Sequence, residues 1–135
     1  MKKWIASLLL LWPVLVLAEP VVVVAADSPL TALSQSDVRQ LFNGHTRRLQ
    51  GQVLSPLDLP ASSATRRAFY LALMGKTPEQ MKSYWARMIF TGRGMPPRQV
   101  SGDREMQLLV SSNRNFIGYL DDSRVTAKLK VVFRP

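Results

Sequence analysis

Apolar and polar positions alternate along the chain between strand-like and helix-like periods, which is the pattern of an α/β domain. Val21 to Ala26 is an unbroken apolar run, mostly β-branched and bounded by Asp27-Ser28-Pro29. It predicts a first core strand, buried on both faces and hence parallel to its neighbours. Ser34 stands where a helix N-cap belongs, Asp37 is placed to complete a capping box, and Leu33 and Val38 are spaced as a hydrophobic staple. Val38, Leu41 and Phe42 then share one face, and Gly44 supplies the stop. Gln52 to Leu57 predicts a weaker strand in which Pro56 implies an edge position or an early end.

The second helix is expected from Ser62 or Ser63 to Gly75, with Ala68, Phe69, Ala72 and Leu73 at helical spacing. A third opens at Thr77-Pro78-Glu79-Gln80, where Thr77 caps, Pro78 suits the first helical position and Gln80 closes a capping box. Met81, Tyr84, Trp85, Met88 and Ile89 form its apolar stripe, which at this spacing is a packing face and not a cofactor surface. Two Gly and two Pro make 91–98 a loop, and a Gly-x-Gly followed by Pro-Pro cannot open a helix in the register that dinucleotide binding needs. Asp103 is read as the cap of a fourth helix carrying Met106, Leu109 and Val110 and ending near Asn113. Strands follow at Phe116 to Leu120 and Lys130 to Phe133.

Residues 1–18 carry a different signal: basic Lys2 and Lys3, an apolar stretch from Trp4 to Leu17, and Val16-Leu17-Ala18, which fits the small-residue rule for leader cleavage. They are expected to be a signal peptide, with a single domain over 19–135 and a periplasmic destination. Glu19-Pro20 interrupts the apolar run, so each piece is short for a bilayer span and no stable membrane attachment is expected after cleavage. Removing 18 of 135 residues leaves 117, enough for one core and too few for two lobes. The chain has no Cys, which excludes disulfides and thiolate metal sites. Its formal charge of +9 becomes +7 without Lys2 and Lys3, favouring an anionic partner.

Catalysis is hard to assemble from these residues. The only His, His45, sits in a turn-like Asn-Gly-His-Thr context, and the hydroxyls of Ser62, Ser63 and Thr65 have no neighbouring base. Asp27, Asp58 and Asp121-Asp122 are read as caps or turn formers. Neither an enzyme, nor a metal site, nor a cofactor is expected. Anion binding has a better physical basis: a helix beginning at Ser62-Ser63-Ala64-Thr65 points free N–H groups and hydroxyls at one spot, with Arg66 and Arg67 adding positive charge. The candidate ligand-binding residues are therefore Ser62, Ser63, Thr65 and Arg66.

Three segments, taken in order, extend the reading: Leu-Ser-Gln-Ser-Asp-Val-Arg-Gln-Leu-Phe-Asn-Gly at 33–44, Ser-Ser-Ala-Thr-Arg-Arg-Ala-Phe at 62–69, and Phe-Ile-Gly-Tyr-Leu at 116–120. Together they resemble the second lobe of the phosphate-binding component of ABC transporters. The resemblance implies a single lobe of a type II periplasmic-binding-protein-like fold, a mixed sheet flanked by helices. It also implies a phosphate contact at the motif Gly-Ser-Gly-Thr-Arg, carried over here onto Ser63, Ala64 and Thr65. Ser62 and Ala64 replace both glycines, and Leu59 stands where the family places its phosphate-clamping Arg, four residues before the motif serine. An exposed charge at a helix N-terminus gains only ~0.3–1 kcal/mol, whereas a millimolar ligand needs about 4 kcal/mol. Binding of phosphate or another small anion is accordingly expected to be weak at most.

The alternative is a periplasmic protein-interaction module that kept the fold and lost the ligand, pairing as a homodimer or with an envelope protein. Leu57, Leu59 and Pro60 before the cap suggest a leucine-based contact surface. Nucleic acid is not an expected partner, since export takes the chain away from it.

Overall fold

The computed structural model describes residues 3, 10–13 and 17–135, so most of the predicted leader lies outside the described residues. Five strands form one mixed sheet in the order β5-β4-β6-β1-β7, built from β1 (Pro20–Ala25), β4 (Ser55–Asp58), β5 (Arg98–Gln99), β6 (Phe116–Asp121) and β7 (Leu129–Phe133). A separate hairpin pairs β2 (Arg48–Leu49) with β3 (Gln52–Val53). Four helices complete the domain: α1 (Gln35–Phe42), α2 (Ala64–Met74), α3 (Pro78–Phe90) and α4 (Asp103–Ser112). Among the described residues no helix is long and apolar enough to cross a membrane.

All six residues of β1 are buried, as the apolar run requires. Each fully buried valine there contributes on the order of 1.5–3 kcal/mol. Direction is another matter: β1 runs antiparallel to both β6 and β7, not parallel as its composition suggested. Continuous apolar character reports that both faces are covered, and here helices cover them whichever way the strands run. Along β6 the two faces separate cleanly by alternation. Gly118 lies under α4, where a Cβ would overlap Met106 Sδ, while the Tyr119 ring stacks on Phe69 of α2 with centroids 3.9 Å apart.

Other expectations shift at the edges. The segment 52–57 is two strands, not one: Gln52–Val53 folds back on β2 across a tight turn at Gln50 and Gly51, both with positive φ (50° and 75°), while Ser55 onward joins the main sheet beside β6. Nor is β4 an edge strand: it lies between β6 and the two-residue β5, parallel to both. Ser55 N donates to Asn115 O on the β6 side, and Asp58 O accepts from Val100 N on the other. Alternation therefore turns Pro56 toward the outer edge at a point β5 does not reach, and the missing N–H leaves no gap in the ladder.

The helix starts follow the sequence closely. Ser34 with Asp37 and Thr77 with Gln80 both form complete capping boxes, and Pro78 occupies the first turn. At α4, however, Gly102 is the N-cap and makes no side-chain cap bond, while Asp103 is the first helical residue. Glu105 instead turns back to Ser101, accepting from its hydroxyl at 2.6 Å. The stripe on α3 buries Met81, Trp85 and Met88, but Ile89 is half exposed.

Candidate functional site

β4 ends at Asp58, and the chain turns through Leu59 to Ser62 into α2. Ser63 is the N-cap, its Oγ accepting from Arg66 N at 3.1 Å, and Gly75 in the left-handed region ends the helix. No acidic residue occupies the first turn, and the Ala64 and Thr65 amides have no intrahelical acceptor. Ser62 is exposed, and Ser63 and Thr65 are half buried. The sequence thus located the helix start and its free amides correctly.

It did not foresee what Arg66 does. The guanidinium turns inward, its Nε donating to Asp58 Oδ2 at 3.2 Å, and the two side chains are only 14% and 5% exposed. Asp58 is neither a cap nor a turn former but the centre of a buried network. Tyr70 Oη donates to the same oxygen at 2.8 Å, and Tyr119 Oη donates to Oδ1 while accepting from Leu59 N at 3.3 Å. Arg66 also lies over the Tyr70 ring, 5.3 Å from its centroid.

The electrostatics follow from burial. Desolvation first, then the neighbouring carboxylate, pushes both Tyr70 and Tyr119 well above the usual phenol range, so both remain hydrogen-bond donors. Burial pulls Arg66 down, but Asp58 together with Tyr70 and Tyr119 more than offsets it and the guanidinium stays charged. The network is closed: among the described residues no buried side-chain polar atom lacks a partner. Ser62, Ser63 and Thr65 are thus brought together at the start of α2, while Arg66 is already committed to an internal carboxylate.

Tyr70 and Tyr119 were missed because each reads locally as an apolar position. The available clue was their hydroxyls, since a buried phenol needs a polar partner. Leu59 is fully buried, as is Leu57, so neither can form an external contact and the leucine-based contact surface is ruled out. His45 is exposed in its turn.

This architecture matches solved structures of phosphate transport proteins. An ABC-type phosphate transport receptor from Vibrio cholerae superposes with TM-score 0.66 at 20% identity, covering 85% of this chain and 45% of its own. A phosphate ABC transporter substrate-binding protein from Clostridium perfringens, solved with phosphate bound, gives 0.66 at 18%, with 85% and 44% covered. PstS from Borrelia burgdorferi gives 0.63 at 12%, with 85% and 46% covered. No family model and no curated protein matches the sequence. The likeness establishes the fold: a periplasmic-binding-protein-like α/β unit that spans less than half the length of these neighbours, consistent with a single lobe.

Proposed function

We propose that this chain is an exported, one-lobed substrate-binding-like domain that binds phosphate or a related oxyanion no more than weakly at the start of α2. The observation that carries this reading is the N-terminal turn of α2 on the matching fold. Ser63 caps it, the Ala64 and Thr65 amides are left over, and Ser62 and Thr65 bring two more hydroxyl side chains to the same turn. The helix dipole favours an anion there. Arg66, already paired with Asp58, adds little net charge. Isothermal calorimetry with phosphate is expected to give a high-micromolar to millimolar Kd, roughly 4–6 kcal/mol, and Thr65→Ala to weaken it. Nanomolar binding by the monomer overturns this reading.

Export belongs to the same proposal, with cleavage after Ala18. Glu19 N donates to Asp121 Oδ1 at 2.7 Å, so a new α-ammonium at Glu19 would sit against a carboxylate. Intact mass of periplasmic material tests this, and a membrane-bound species keeping Met1 contradicts it.

A second reading, a protein-interaction module that kept the fold and set the ligand aside, is favoured by the internal Asp58–Arg66 pair. With that pair the protein supplies its own anion to Arg66.

A further inference from the structure

Two cavities meet beside α3. One, about 330 Å³, lies between the β2–β3 hairpin, the start of β4 and the Met95-Pro96-Pro97 loop. The other, about 550 Å³, runs from Ala61 and Arg66 past Lys82 to Ile89. Trp85 and Pro96 line both, so the two adjoin, and together they are called the trough here. Its floor is apolar, and its rim carries Ile89 at 50% and Met95 at 65% exposure, with Phe90 next to it at 93%. Its cations are Arg47, Arg98, Arg66 and Lys82, against Glu79 as the single carboxylate among the lining residues. Arg47, Arg98 and Lys82 join no ion pair among the described residues.

We propose that this trough docks an acidic segment of another polypeptide, with apolar side chains seated on exposed Met95 and Pro96 and carboxylates facing Arg47 and Arg98. The proposal rests on the interaction-module reading and names the partner's chemistry. A small oxyanion would leave the apolar floor unused. An anionic glycan or polyphosphate could meet the cations but not the floor. A second copy docking trough to trough would set Arg47 and Arg98 against the same two cations of the other copy.

Trp85 is the only tryptophan after residue 12, so residues 19–135, which hold every strand and helix of the fold, report on the trough by its fluorescence. The probe is a synthetic heptapeptide of alternating Glu and Leu. A saturable shift of Trp85 emission is expected. Arg47→Glu/Arg98→Glu, two exposed positions, should weaken it at least tenfold, whereas Lys128→Glu should leave it within twofold. Circular dichroism melts verify that each variant is folded. The proposal is overturned by no Trp85 response, by an equal response to the Lys-for-Glu peptide, or by polyphosphate binding as tightly with the same arginine dependence. A photo-crosslinker at exposed Leu108 on α4 separates the two ideas. A specific adduct there without peptide binding keeps the interaction module and removes the trough, while tight phosphate binding removes the interaction module itself.

Discussion

α2 and α3 begin alike and are used differently. Each is capped by a hydroxyl that accepts from the amide three residues on, Ser63 from Arg66 at 3.1 Å and Thr77 from Gln80 at 3.3 Å. At α3 the exchange is completed: Gln80 Oε1 accepts from Thr77 N at 2.9 Å, Pro78 has no N–H to satisfy, and Glu79 offsets the dipole. At α2 the third residue is Arg66, whose side chain leaves the cap for Asp58 and so neither returns to the Ser63 backbone nor neutralises the helix end. A capping signature therefore says where a helix starts. What the third residue does with its side chain decides whether the end is finished or left open.

The largest way to break this comparison is to break the buried pair. Arg66→Ala or Asp58→Ala strands a charge in the core and should cost about 3–5 kcal/mol, whereas removing the exposed Gln80 side chain should cost no more than about 1 kcal/mol. Urea unfolding of the three variants decides it, and comparable losses at α2 and α3 would mean that the Asp58 network carries no special weight.

Alkaline pH probes the same network. Tyr70 and Tyr119 have raised pKa values in the folded state, so their contribution is intact below the unfolded phenol pKa of about 10 and is lost as pH rises through the folded values. The melting temperature should fall steeply above that point. Tyr70→Phe should flatten the fall, measured against wild type over the same pH series.

Smaller still are the caps themselves. Ser63→Ala and Thr77→Ala should each cost ~0.5–2 kcal/mol, but only Ser63→Ala should also reduce phosphate binding. Calorimetry on the pair sharpens the contrast, and an equal effect of both on phosphate would show that α2 holds no site.

The smallest effect is expected at the start of the domain. Asp121 lies below the usual carboxylate range, first because Ser123 Oγ donates to it and then because Glu19 N does. Its contribution is present above the usual Asp pKa of about 3.9 and is lost as pH falls through the lowered value. A chain beginning at Glu19 should melt slightly higher than one beginning with an added Met, by at most about 1 kcal/mol of stability. Asp121→Asn should erase the difference in a thermal melt.

Local signals carried most of the helix boundaries. Ser34 with Asp37, Thr77 with Pro78 and Gln80, and Ser63 all act within four residues of themselves, so their chemistry is complete in the sequence. The Gly102 start of α4 was missed because Asp103 is itself a favoured cap residue, and only the backbone shows which residue leaves the helix first. At the candidate site, the place of Ser62, Ser63 and Thr65 at the start of α2 was legible for the same local reason. Arg66 was legible as a charge but not as a committed one, since Asp58, Tyr70 and Tyr119 come from β4, α2 and β6.

By itself the sequence determined the α/β class, the burial of Val21 to Ala25, the starts of α1 to α3 and the absence of cysteine chemistry. These depend on periodicity, capping and composition, which act over a few residues or over none. Only the tertiary structure decided that β1 is antiparallel to both neighbours, that Leu59 belongs to the core, and that Arg66 answers to Asp58 before any ligand. Those are contacts between segments up to about a hundred residues apart, such as Glu19 with Asp121. Chain packing chooses among such pairings by the apolar area and buried hydrogen bonds it can satisfy at once, and no local pattern contains that choice.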